Sequence, residues 1–172
     1  MNLKHSHWVN IGVFLEKHKW LYYLLAHTWG LIMTLLGYIV ALVLICIGVK
    51  PIKYNGIFHF RLKKNWGGLD FGMCFLRDTT STESVTKHEL GHTYQNCILG
   101  PFFIFLVAIP SACRYWYKVI LEKREKKFDS TWYDSIWFEG SATEIGTYIV
   151  DVFNKTKNKN SVTVNPFLNI SE

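Results

Sequence analysis

Hydrophobic and polar positions fall in long blocks along this chain. From Trp20 to Val49, 30 consecutive residues lack Asp, Glu, Lys and Arg. At about 1.5 Å per residue they make a helix of about 45 Å, ample to cross a bilayer. The run is too long and too far from the N-terminus for a secretory h-region, and no A-x-A-like site comes after it. The pattern therefore predicts a retained transmembrane helix over 20–50, preceded by a cap segment at 1–19. His27, Gly30 and Gly37 mark either packing against other elements or a start of the span near Trp29, and Pro51 closes the run. Next, Ile57–Leu62 and Leu69–Leu76 are rich in Phe, Leu and Ile and flank Lys63-Lys64-Asn65-Trp66-Gly67-Gly68, which has turn chemistry, so a β-hairpin is expected. The Ser/Thr/Asp-rich stretch Asp78–Ser84 supplies N-caps for a helix from near Glu83 to about Leu99, which Gly100-Pro101 ends.

A second uncharged run, Ile98–Cys113, has 16 residues and contains Pro101 and Pro110. It is short for a span and better suited to a buried or re-entrant segment. Beyond it stand Arg114, Lys118, Lys123, Arg124, Lys126 and Lys127, interleaved with Tyr115, Trp116, Tyr117, Val119, Ile120 and Leu121, an interfacial arrangement of aromatics and cations. Trp132–Phe153 returns to an apolar helical pattern, and 154–172 is a polar tail.

With 172 residues, 49% hydrophobic and 19% charged, the chain has the size of one domain and too much apolar surface to be disordered. The net charge of +6 suits nucleic acid and anionic membranes alike. The adjacent apolar segments favour a lipid bilayer as partner and no nucleic acid. Lys50, Lys53, Arg61, Lys63 and Lys64 after the first apolar run outnumber Lys4, Lys17 and Lys19 before it, which places the residues beyond that run on the cytoplasmic side of the cell membrane. Cys46, Cys74, Cys97 and Cys113 form no C-x-x-C pair and read as buried thiols.

The chemistry concentrates in Val85-Thr86-Lys87-His88-Glu89-Leu90-Gly91-His92-Thr93-Tyr94, where H-E-x-x-H lies inside the predicted helix. Histidines at i and i+4 share a helical face, so both imidazoles reach one tetrahedral Zn²⁺. Glu89 points far enough round the helix to miss the metal yet reach a water activated by it, as a general base. A third protein ligand is needed. The metzincin pattern is excluded because Gln95 and Ile98 occupy its later positions. Glu139 and Glu144 remain, and Glu139 is preferred because Gly140, Ser141 and Ala142 would let its helix approach closely.

These residues resemble an H-E-x-x-H zinc metallopeptidase of the glutamate-ligand (gluzincin) type. They are also similar to a group of small uncharacterised bacterial membrane proteins in which H-E-x-G-H-T-x-Q precedes L-G-P and E-x-x-A-x-x-x-G, here His88 to Gln95, Leu99-Gly100-Pro101 and Glu139 to Gly146. The resemblance implies His88, His92 and Glu139 as zinc ligands and Glu89 as base. It also implies a strand, within Leu69–Leu76, that pairs with an extended peptide or protein substrate. Many gluzincins carry an Asp four residues after the glutamate ligand; Thr143 stands there, with Asp134 or Glu144 as replacements. Tyr148, Tyr133 and His59 are candidates to stabilise an oxyanion.

The expectation is an α+β membrane protein, mainly helical, with one N-terminal transmembrane helix and a β-hairpin ahead of the active helix. Residues 51–153 form the zincin-like catalytic unit, with 98–113 buried or re-entrant so that Glu139 stays on the side of His88 and His92. The activity expected is zinc endopeptidase; the alternative is a non-catalytic metal-binding membrane protein or interaction partner with a degenerate site.

Overall fold

The computed structural model describes residues 6–63, 66–124 and 135–156 and is mainly helical with one small mixed sheet. Ser6 caps α1 (His7–Lys17), its hydroxyl accepting from the Val9 amide, and only His18 separates α1 from α2 (Lys19–His27). Both helices pack into the core, with Val9, Leu15, Tyr22 and Ala26 buried. A polar cluster reinforces them: Glu16 pairs with Lys19 at 2.7 Å and accepts from the Tyr94 hydroxyl and from Asn55.

The run expected to form one helix over 20–50 is broken. α3 (Leu31–Cys46) leaves α2 at 86°, and the cause is tertiary. The Trp29 indole donates to the Ile98 carbonyl, one of the carbonyls left open at a helix C-terminus, while Asn96 donates to the Gly30 carbonyl. Trp29 also lies over Gly100, whose φ of +55° and lack of a Cβ allow the indole to sit there. α3 is about 24 Å long. It covers the back of the sheet with Leu44 and Gly37 and exposes Leu35, Ile39 and Leu42.

The sheet also departs from the expected hairpin. β1 (Ile52–Tyr54) and β2 (Ile57–Arg61) are joined by Asn55-Gly56, both at positive φ as a two-residue hairpin turn requires. β3 (Gly68–Asp70) and β4 (Cys74–Arg77) form a second hairpin, because Phe71-Gly72-Met73 splits the apolar stretch and Asp70 accepts from the Gly72 amide. β2 and β4 run parallel, Phe58 beside Cys74 and Arg61 beside Arg77, in the order β1-β2-β4-β3. Ile57–Leu62 and Leu69–Leu76 are therefore not partners in a hairpin; the chain between them crosses to the far edge, where Gly67 and Asp78 exchange two hydrogen bonds. A hairpin does precede the H-E-x-x-H helix, but it is β3–β4.

α4 (Glu83–Leu99) has the expected bounds and lies across the sheet, burying Leu90, Tyr94 and Cys97 against Ile57 and Phe75. After a turn at Gly100–Phe102, a π-helical stretch (Ile104–Ala108) runs directly into α5 (Ile109–Glu122). Ile98–Cys113 is thus not a closed-off buried segment. Pro110 falls in the first turn of α5, and the wider π turn before it accommodates its ring and missing N–H. Ile104–Glu122 is by length and composition apolar enough to cross a membrane, and most of its surface is open. Lys126 and Lys127 lie outside the described residues; the Ser135 hydroxyl accepts from Arg114 at 3.0 Å, midway along α5. Of the cysteines, Cys74 and Cys97 are buried thiols, but Cys46 and Cys113, on the open faces of α3 and α5, are exposed.

α6 (Trp137–Tyr148) continues as a π-helical stretch (Ile149–Asn154) and packs on α4 with almost no separation. A Cβ on Gly91 would strike the Ala142 carbonyl, and one on Gly146 would strike that of Lys87. Gly91→Ala and Gly146→Ala should each destabilise the protein by about 1–3 kcal/mol, since backbone cannot move aside as a side chain can. Thermal unfolding of the detergent-purified variants measures this; unchanged midpoints would contradict the packing.

Candidate metal centre

The seam between α4 and α6 brings three ligating atoms together. His88 Nε2 and His92 Nε2, one turn apart on α4, are 3.1 Å from each other. Glu139 Oε2 is 3.0 Å from the first and 3.4 Å from the second. Four ligands at about 2.0–2.1 Å from a tetrahedral ion are separated by about 3.3 Å. The triangle seen here has the size of one face of that tetrahedron, and these three residues could hold a metal ion.

The groups behind the ligands settle which lone pairs face inward. Gln95 donates its amide hydrogens to the Phe138 carbonyl at 2.7 Å and the Ser141 hydroxyl at 2.8 Å, so its Oε1 is left to accept from His92 Nδ1 at 2.7 Å. With Nδ1 engaged by Gln95, His92 turns its Nε2 towards Glu139, where either a proton or a metal can sit. His88 Nδ1 lies 2.8 Å from the Thr143 hydroxyl, leaving its Nε2 likewise aimed at Glu139. Glu139 has no accessible surface. Burial pushes its carboxyl upward, but hydrogen bonding to His88 and His92 outweighs that and holds it below the ordinary range. A buried carboxylate facing two imidazoles calls for a compensating positive charge, supplied by a proton or a metal cation.

Glu89 is buried beside the cluster, and burial foremost raises its carboxyl to about 8; His92 works against this, while Asp70 and Glu139 add to it. The β3 edge closes over it through Gly68, where a Cβ would collide with the Glu89 carboxylate. Two cavities share Gly68, His88 and Glu89. The larger, about 260 Å³, is walled by Tyr115, Lys118 and Thr143; the smaller, about 40 Å³, by Asp70, His92, Phe103 and Val107.

The structure brings together His88, Glu89, His92 and Glu139. Glu144 is not among them, since its carboxylate accepts from Ser6 on the α1 side of α6. Nor does it replace the orienting group, a place that Thr143 fills with its own hydroxyl. Asp134 and Tyr133 lie outside the described residues. Tyr148 packs against the core shared with α1, and His59 lines a different cavity, so neither is at the centre. Sequence reasoning missed Gln95 as the partner of His92, although i to i+3 spacing puts the two on one helical face. It also missed Tyr115 and Lys118, which share with Ser111 a stripe at helical spacing inside an otherwise apolar segment. No protein-family model, no curated protein and no solved structure matches the chain.

Proposed function

We propose that this chain is a membrane-associated zinc metallopeptidase, with His88, His92 and Glu139 as ligands and Glu89 as general base. The observation that carries the reading is the convergence of His88 Nε2, His92 Nε2 and Glu139 Oε2 within 3.0–3.4 Å, with Glu89 lining the same cavity from the helix of the two histidines. Two imidazoles and one carboxylate in a triangle of tetrahedral size suit Zn²⁺ among the common divalent ions. Held by His88, His92 and Glu139, zinc would supply a Lewis acid able to polarise a scissile carbonyl and to lower the pKa of water to about 7. Glu89, next to His88 in the chain and buried beside the cluster, would take a proton from the attacking water and pass it to the leaving nitrogen. Tyr115 and Lys118, on the opposite wall, are the polar groups placed to meet an oxyanion.

An extended peptide fits the free edge of β3, which Gly68 keeps close to Glu89, by adding a strand to the sheet. Ile104–Glu122 favours a membrane setting. One side of it walls the cleft, while Phe105, Ile109, Trp116 and Ile120 expose an apolar side suited to lipid. The basic residues after α3 favour a catalytic part at the cytoplasmic face of the cell membrane.

Full-length protein purified in detergent should carry one zinc per chain, and His92→Ala or Glu139→Ala should carry almost none, as measured by elemental analysis. Glu89→Gln should keep its zinc and lose turnover of a fluorogenic peptide library by at least about 100-fold. Zinc retained without any hydrolysis by the parent protein would instead favour a metal-binding role. Thr143→Val should weaken zinc about tenfold or more in a chelator competition, because the His88 ring loses its partner.

A further inference from the structure

A second polar cavity, of about 390 Å³, lies at the start of α4 and shares no lining residue with the metal-site cavities. Strand register explains its composition. Arg61 and Arg77 are neighbours across the parallel β2–β4 pair, as are His59 and Phe75, and residues two apart on a strand share a face. His59, Arg61 and Arg77 therefore stand side by side on the face that α4 covers. The Phe75 ring stacks on the His59 imidazole with centroids 5.0 Å apart and fixes its plane.

The polar groups around this space lack partners of their own. Both His59 ring nitrogens, the Tyr54 hydroxyl, the Thr86 hydroxyl and Arg77 Nε are buried with no hydrogen-bond partner, and His59 and Thr86 are each only 2% exposed. Five such atoms on one cavity are a poor arrangement unless something enters to pair with them. Arg77 spends its Nη1 on the Ser81 and Thr82 carbonyls of the loop leading into α4, which leaves its Nε free. Thr82 supplies no side-chain cap to that 17-residue helix, and Glu83 is the acidic residue of its first turn. Glu83 is the one carboxylate on the lining; it is largely exposed and pairs with Lys87 at 3.5 Å. The field within is positive: burial and then the Arg77 and Arg61 guanidiniums hold the His59 imidazole down at about 4.

We infer that this cavity binds a phosphate group, with Arg61, Arg77 Nε and His59 as its principal donors and the Tyr54 and Thr86 hydroxyls completing the set. Two guanidiniums, an imidazole and two hydroxyls offer more donors than a carboxylate can accept, and they match a tetrahedral oxyanion. The group arrives either as soluble phosphate or a phosphate ester, or as the headgroup phosphate of an anionic lipid.

The full chain in detergent, held in EDTA so that the metal centre takes no part, can be titrated with inorganic phosphate by calorimetry and ³¹P line broadening. Saturable binding at one site per chain is expected, weakened at least about tenfold by Arg61→Gln and by His59→Leu. Arg61 is exposed, so its substitution leaves the fold intact and decides the matter should His59→Leu fail to fold. Competition by phosphatidylglycerol nanodiscs, but not by phosphatidylcholine ones, would assign the occupant to lipid; no competition would assign it to soluble phosphate. Absence of saturable phosphate binding, or binding that either folded variant leaves unchanged, would overturn the inference.

Discussion

Two helices can share one metal ion only if their backbones come close, and here the contact is backbone on backbone. Gly91 of α4 lies against the Ala142 carbonyl, and Gly146 of α6 lies against that of Lys87. Each contact sits close to a ligand: His88 is three residues before Gly91 and Glu139 three before Ala142, while Lys87 is next to His88. Closing the seam therefore sets the triangle. The same seam takes in Gln95, which reaches across to the Phe138 carbonyl, and Thr143, which reaches back to His88. Packing that excludes water and hydrogen bonds that orient imidazoles are thus one structure, and the desolvation of a fully buried carboxylate is offset within it.

Local chemistry makes some of this legible in the sequence. The Gly100-Pro101 stop ends α4 without reference to the rest of the chain, and H-E-x-x-H needs only helical spacing. Glu139 can be preferred over Glu144 because small residues imply a close helix, although the residues that make the contact are Gly91, Ala142 and Gly146 rather than Gly140. The features that escape depend on partners distant in sequence. The bend between α2 and α3 is held by Trp29 and Asn96 against Ile98 and Gly30, and no local pattern encodes that. The hairpin expected around Lys63–Gly68 is displaced to Asn55-Gly56, the stronger turn signal, whose first strand is only three residues long and so leaves little pattern of its own. Pro110 has the look of a helix stop, but a π turn absorbs it. Thr143 has the look of a missing carboxylate, whereas a hydroxyl at that distance is enough to hold a ring.

The Ile104–Glu122 segment shows how one helix can serve two surroundings. Its polar and small positions, Ser111, Tyr115 and Lys118, line the cavities over His88 and Glu89, while its large apolar side chains turn outward. α3 and this helix both carry open apolar faces, and the candidate metal centre lies beside the second.

The central claim is that two imidazoles of one helix and one carboxylate of another hold a single ion in a tetrahedral site. X-ray absorption spectroscopy of the zinc-loaded full-length chain tests it most directly. The account requires a four-coordinate shell of nitrogen and oxygen at about 2.0–2.1 Å with the multiple scattering of two imidazoles, reduced to one in His92→Ala. A sulfur shell at about 2.3 Å, or a zinc spectrum without imidazole scattering, would contradict it.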